Sequence, residues 1–398
     1  MSAALAPPFD TPRAAQRLLP PDRLRPTARE ILEQRCRDSR LGWVIDLVAL
    51  ESRYAAARVA AERHDIRLLC AVKASTLPEV LSRAGRLGLG YDIANARELA
   101  HAERAAQAPF VSLTSPAIPH AQLPELHTAF RSGRIHRWHC DSLAQLDALA
   151  RSCPGSKLGV RINLDGLEIP DSLPMYRTSR FGVRLAQLGD ARRVAESHGC
   201  ELRWLHMHNG SEVNDTASYV FAVEAILAAA REHGVALESL DLGGGLLAEP
   251  DPDEIGRLFG AVRAAAGDDL DLIFEPGRFW LTDCISLVTQ VLDIKDNATS
   301  ALLVLDLGTL SHLQWSDFVR FPVLAPLHPG DPRPWRVCGR TCFEEDMLDE
   351  WEVVPVAPEG AVPRIGDHVV LGNVSGYAIE LACDFNGVGP PEIEMITE

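Results

Sequence analysis

The run Ile66-Arg67-Leu68-Leu69-Cys70-Ala71-Val72-Lys73 decides how the rest of the chain is read. It is a short β-type apolar run that ends in a lysine. Similar runs recur outward from it, near Leu87 to Asp92, Phe110 to Thr114, Ile135 to Asp141, Lys157 to Asn163, Trp204 to Asn209, Ser239 to Gly243 and Asp271 to Glu275. Longer Ala/Leu/Arg/Glu segments of helical spacing separate them, the pattern of successive βα units around a parallel sheet. Eight strands within residues 43–280 match the count of an α/β (β/α)8 TIM-like barrel, with a doubly wound sheet as the competing arrangement. In the barrel, Lys73 stands at the carboxyl end of the first strand, the face where barrel enzymes keep their active sites.

From Cys284 onward the character changes to β-branched runs broken by Pro, Gly and Asp, without intervening helices. The expected division is an N-terminal arm (1–42) packing with the β domain, a barrel (43–280) and a C-terminal β domain (281–398). Leu164 to Arg180 has two prolines and no clear period and is expected to be a long loop after the fifth strand. The 398 residues, 46% hydrophobic and 24% charged, suffice for a large core. Thirty-nine basic residues against 55 acidic ones give a net charge of −16, which disfavours nucleic acid and anionic membranes as partners. Nine scattered cysteines without CxxC spacing, no signal-peptide pattern and no long apolar run point to a cytoplasmic protein with reduced thiols.

Only three lysines occur, Lys73, Lys157 and Lys295, so lysine chemistry has few candidates. Burial at a strand end is expected to lower the pKa of Lys73 and free its amine for a Schiff base, although a lysine capping an ordinary strand reads the same way. Asp241-Leu242-Gly243-Gly244-Gly245 follows the seventh run, where successive glycines let backbone N–H groups close on a phosphate or simply make a turn. Glu275-Pro276-Gly277-Arg278 closes the eighth, and the loops after strands seven and eight are the usual barrel phosphate site. His206-Met207-His208-Asn209-Gly210-Ser211 ends the sixth run, with both histidines on one side by alternation. No carboxylate near them in sequence completes a metal site, so no metal is expected, and an imidazole stacked on a flat cofactor ring suits the pattern better.

Ala71-Val72-Lys73-Ala74, Tyr91 to Leu99, the HMHNGS, LDLGGG and FEPGR segments and the closing GYAIELACDFNG together resemble the alanine-racemase-fold, pyridoxal-phosphate-dependent decarboxylases of ornithine, diaminopimelate and carboxynorspermidine. The matches run in family order from Lys73 to Gly387. The resemblance implies pyridoxal 5'-phosphate as cofactor and Lys73 as its Schiff-base lysine. It implies His208 on the pyridine ring, Glu275 at the ring nitrogen, and Ser211, Gly244, Gly245, Arg278 and Tyr377 around the phosphate, with Asp92 and Arg161 near the lysine and ring. Cys342, in Val337-Cys338-Gly339-Arg340-Thr341-Cys342, is then the proton donor, reaching a partner's site in a homodimer with shared active sites.

Phe343 stands where ornithine and diaminopimelate decarboxylases carry an acidic residue beside that cysteine. Glu344, Glu345, Asp346 or Asp306 is the expected replacement for contact with the distal end of a small amino acid substrate, and Arg177 or Arg180 could bind a second carboxylate. The mixture of motifs suggests a side branch acting on a modified diamino acid in polyamine, siderophore or antibiotic pathways. Two rivals share these residues: an amino acid racemase, which by resemblance places an arginine at the ring nitrogen where this chain has Glu275, and a non-catalytic regulatory homologue.

Overall fold

The computed structural model describes residues 24–105, 110–175, 178–208, 210, 215–246, 252–296, 301–316, 319–324, 328–329, 335–348 and 361–398. Helix α1 (Pro26–Arg37) leads into strand β1 (Gly42–Asp46) and helix α2 (Leu47–Glu62). Then come β2 (Ile66–Ala71), β3 (Gly90–Ile93), β4 (Val111–Ser115), β5 (Arg137–Cys140), β6 (Lys157–Asn163), the short β7 (Val183–Arg184), β8 (Glu201–His206), β9 (Ser239–Asp241) and β10 (Asp271–Phe274), with helices between most of them. The neighbours run β5-β4-β3-β2-β10-β9-β8-β6, and β5 pairs with β6, which closes the ring. Every pairing in it is parallel. A doubly wound sheet has open edges, so closure settles the alternative in favour of the barrel.

The second unit is built from β11 (Ile285–Asp296), β12 (Ala301–Leu305), β13 (Arg320–Leu324), β14 (His328–Pro329), β15 (Trp335–Cys338), β16 (Ala361–Val362), β17 (His368–Gly372) and β18 (Ile393–Ile396). Its main sheet runs β13-β17-β11-β1-β18, with β12 on β11 and β15 on β12. Trp43 to Ile45, expected at the start of the barrel, thus lies in this sheet, antiparallel to β11 and parallel to β18. An apolar run shows that a strand forms, but the edge it joins is chosen by partners about 240 and 350 residues away, which periodicity does not report. Two short helices, Thr309–His312 and Gly376–Glu380, also interrupt a region expected to lack them. The second starts at Ser375, whose hydroxyl accepts from the Tyr377 N–H at 3.3 Å, a local cap outside the apolar pattern.

Helix α1 has Pro26 in its first turn and lays Ala28 and Leu32 on Val44, Val288, Val370 and Ile396 of the sheet. Buried Arg35 on the same face donates to the carbonyls of Arg40 and Leu41 and pairs with Glu394. Asp46 then starts α2, accepting from the N–H groups of Val48 and Ala49 at 3.0 Å each and from Arg25 at 2.7 Å. One continuous apolar core runs from the barrel into the sheet. Trp280 stands edge-on to Tyr54 at 4.8 Å within it, and Trp43 lies 5.8 Å from the His312 ring. No helix among the described residues is long and apolar enough to cross a membrane.

Candidate active site

Lys73 lies just past the strand expected to hold it. The Ala71 N–H turns to Pro276 O at 3.3 Å, β2 stops, and Val72–Ala74 makes a 3-10 turn. From that turn the half-exposed Lys73 side chain forms an ion pair with Asp92, buried at the end of β3. Burial alone lowers the lysine pKa, but Asp92, then Tyr377 and Glu275, outweigh it and hold the ammonium well above its ordinary value. The expected lowering is therefore reversed, because the fold supplies anionic neighbours absent from the local sequence. Asp92 itself is pushed up to about 7 by burial and then by Glu275, against the pull of Lys73.

Glu275 follows β10, its N–H donating to Gly243 O at 2.7 Å. Its Oε2 meets His206 Nε2 at 3.1 Å. His206 and Asp241 face each other in register on β8 and β9. Ligand atoms of His206, Asp241 and Glu275 all lie within 4.8 Å of one another, with all three residues buried. Two carboxylates thus stand beside a histidine that the sequence reading left without one, because Glu275 is 69 positions away and arrives only through barrel closure. Burial, then Arg161 and Lys73, lowers His206 well below the usual range. Burial, then Glu275, raises Asp241 well above its own.

The glycine segment after β9 packs on the loop after β8. Gly245 has φ +99°, and a Cβ there would lie 2.1 Å from Gly210 O, so only glycine fits. The Tyr219 hydroxyl donates to Gly244 O at 3.0 Å and steadies the turn. His208 lies against the same segment, 3.0 Å from where a Gly243 Cβ would stand, and burial lowers its pKa to about 3. Its ring is therefore neutral. A Cβ on Gly277 would stand 2.7 Å from Tyr377 Oη, and Arg278 and Lys73 both act electrostatically on that phenol. Ser211 lies outside the described residues.

Thr76, Gly376 and Glu380 position Tyr377, a role the sequence assigns to none of them. Glu380 accepts from the Thr76 N–H at 2.5 Å and its hydroxyl at 3.0 Å, stapling the Tyr377 helix to the turn that carries Lys73. A Cβ on Gly376 would sit 2.6 Å from Ala74 O, so this close approach needs glycine. The Ser375-Gly376-Tyr377 start was a usable helix signal, whereas nothing local announced the Thr76 contact.

Arg161 on β6 packs on Phe181 with its guanidinium 4.4 Å from the ring centroid, and 3.9 Å from Asp141. Exposed Arg180 lies 3.8 Å from the same ring, so the structure brings Arg180 to Arg161. Tyr176 and Arg177 lie outside the described residues. Cys342 is exposed, its backbone N–H donating to Asn386 Oδ1 at 2.7 Å. Phe343 is also exposed, edge-on to exposed Phe385 at 6.5 Å, and Glu344 and Glu345 face solvent. Asp306 pairs with Arg340 at 2.5 Å.

Asp346 departs from expectation. It is 3% exposed, and its two oxygens accept from the N–H and hydroxyl of Thr309 and of Thr341. A carboxylate so engaged clamps its loop and has no oxygen left for a substrate ammonium. The substrate role expected of it is withdrawn.

The family model described as "pyridoxal-dependent decarboxylase, pyridoxal binding domain" matches residues 47–282, more than half of the chain. The chain is 27% identical over 338 residues to the lysine/ornithine decarboxylase of Selenomonas ruminantium, covering 80% of each. It is 27% identical over 354 residues to the diaminopimelate decarboxylase of Aquifex aeolicus, covering 83% of this chain and 81% of that one. In fold it is similar to the crystal structure of the Paramecium bursaria Chlorella virus arginine decarboxylase bound to agmatine, with a TM-score of 0.77 at 20% identity over 93% of this chain and 99% of that one.

Proposed function

The chain belongs to the pyridoxal-dependent decarboxylase family, and from that premise we propose that it removes the Cα carboxylate of a basic amino acid, with Lys73 as the amine that carries the cofactor. The observation that carries this reading is the meeting of Lys73, Asp92 and Glu275 at one end of the closed barrel. The side chains suit pyridoxal phosphate. Gly244, Gly245, Arg278 and Tyr377, with Ser211, would take the phosphate, and neutral His208 would lie on the ring. Glu275 Oε1, buried without a partner, suits the ring nitrogen. Pyridoxal phosphate, when bound, supplies the electron sink that accepts the pair left on Cα as carbon dioxide departs.

The chain's own residues do the rest. Asp92 holds the Lys73 ammonium in place through their ion pair. Glu275 keeps a proton on the ring nitrogen by placing negative charge beside it. Arg161 balances the charge of Asp92 and Glu275, which both act on it. Cys342 delivers a proton to Cα. Because Cys342 is exposed, with its backbone N–H on Asn386, we assign it to the site of a second copy. The enzyme is then a homodimer with shared sites. Exposed Trp315, Phe343 and Phe385 suit burial against that copy. Nine free thiols suit the cytoplasm.

With Asp346 occupied and Phe343 apolar, Glu344, Glu345 or Asp306 would meet the distal amine. Arg180 would meet a second carboxylate. A modified diamino acid of polyamine or siderophore metabolism fits this set better than plain ornithine.

Borohydride reduction of the loaded enzyme followed by peptide mass mapping should place the cofactor on Lys73, and any other site overturns the assignment. Mass spectrometry against a panel of diamino acids and their conjugates should show loss of carbon dioxide from one class. Racemisation without that loss would replace the reading. Mixing Lys73→Ala with Cys342→Ala protein should restore part of the activity, and no restoration after confirmed subunit exchange removes the shared site.

A further inference from the structure

We propose that Asp241 and His206 are positioning residues for the decarboxylation, flanking Glu275 so that it is the single negative charge held at the cofactor's ring nitrogen. This rests on the placement of Glu275 proposed above.

Three backbone bonds lock the ends of β8, β9 and β10 together: Met207 N–H to Asp241 O at 2.8 Å, Leu242 N–H to Ile273 O at 2.9 Å and Glu275 N–H to Gly243 O at 2.7 Å. They set His206, Asp241 and Glu275 side by side at 2%, 0% and 4% exposure. Asp241 Oδ1 accepts from the Gly243 N–H at 2.9 Å. Asp241 Oδ2 and Glu275 Oε1 are both buried without a hydrogen-bond partner among the described residues.

Two carboxyl groups this close and this deeply buried do not both ionise, because each charge opposes the other where water cannot screen it. The cations acting on the cluster are already engaged, Lys73 by Asp92 and Arg161 on Phe181 beside Asp141. One carboxyl therefore keeps its proton. Asp241 is the one with no cationic or imidazole partner, and burial together with Glu275 raises its pKa. Its proton belongs on Oδ2, since Oδ1 already accepts from Gly243.

An ionised Glu275 only accepts, so His206 Nε2 carries the hydrogen of that 3.1 Å contact. Burial keeps the imidazole neutral, with His139 behind it at 5.4 Å between ring centroids. Glu275 thus has the neutral His206 donor on Oε2 and a protonated Asp241 beside it, with lone pairs left on Oε1 for the N–H of the ring. A histidine and an aspartate do here what a lone glutamate would do less rigidly.

The test begins with cofactor-free protein. Infrared difference spectra of wild type against Asp241→Asn at neutral pH should show the carbonyl stretch of a protonated carboxylic acid lost in the variant. Asp241→Asn, neutral and still able to accept from Gly243 and donate to Glu275, should keep kcat within about threefold of wild type, whereas Asp241→Leu should lower it by about tenfold or more with KM little changed. His206→Leu should behave like Asp241→Leu, and His206→Gln, which retains a donor, should recover most of the loss. Absence of the acid band, a collapse of kcat in Asp241→Asn, or stoichiometric metal lost in that variant each overturns the inference. Glu275→Gln separates the two levels: if it leaves kcat unchanged, the placement of Glu275 fails, and if it lowers kcat while the acid band is absent, only the roles of Asp241 and His206 fail.

Discussion

Buried carboxylates are handled in opposite ways at the barrel mouth and in the loop that carries Cys342. Asp346 in the loop accepts four hydrogen bonds from two threonines and has no oxygen free. Asp92, Asp241 and Glu275 at the mouth each leave one buried oxygen without a partner. An unpartnered buried oxygen costs roughly 1–3 kcal/mol, and three within one cluster form a local deficit that a bound group would relieve. The Asp346 carboxylate holds shape, whereas the mouth carboxylates crowd one another and leave acceptor capacity that a bound group would use.

The comparison can be broken most directly at Lys73. Lys73→Ala should lower carbon dioxide release by about a thousandfold, roughly 4 kcal/mol of barrier, while the cofactor-free protein melts within a few degrees of wild type. A large drop in melting temperature would instead make Lys73 part of the scaffold. Asp346→Ala should do the reverse, lowering unfolding free energy by about 3 kcal/mol in denaturant titrations because four donors lose their acceptor. Its cofactor affinity should change little, and a stable variant would show that the loop clamp is dispensable.

The mouth should also carry the pH dependence. Burial lowers the pKa of His139, His206 and His208, so the unfolded chain takes up protons below about 6.5 that the folded chain refuses. Their contribution is present above pH 6.5 and is lost as pH falls. Asp92 and Asp241, raised above 3.8, oppose it, since between 3.8 and about 7 the folded state holds protons the unfolded state releases. His139→Gln isolates one side of that balance: the slope of stability against pH between about 6 and 4 should flatten by about one proton, ~1.4 kcal/mol per pH unit. An unchanged slope would mean that His139 is charged in the fold. At the small end, Asp46→Ala removes a helix cap whose Oδ1 accepts three hydrogen bonds and should lower stability by about 1 kcal/mol with no effect on catalysis.

The barrel was legible because its signal is local. Lys157 to Asn163 is a strand over the expected residues, since a run buried on both faces carries its pattern in its own composition. Lys73, the glycine segment and Glu275 were legible as candidates for a similar reason, each being an uncommon residue type at a strand end. His206 and Asp241 are not legible as a pair from their own segments, because their meaning lies in each other and in Glu275. Asp346 was misread for the converse reason: in a line of acidic residues it looks like its neighbours Glu344 and Glu345, and only its burial against Thr309 tells it apart.

Sequence alone determined which segments become strands, that a lysine and two glycine-bearing turns end them, and a net charge of −16. These follow from side-chain size, periodicity and charge, which act over a few residues. Tertiary structure decided which sheet Trp43 to Ile45 joins, that Lys73 pairs with Asp92 and is held charged against the lowering effect of burial, and which of several carboxylates keep a buried oxygen without a partner. Those outcomes depend on desolvation and on charges a few ångströms away, contributed by residues tens to hundreds of positions apart that meet only when the barrel closes.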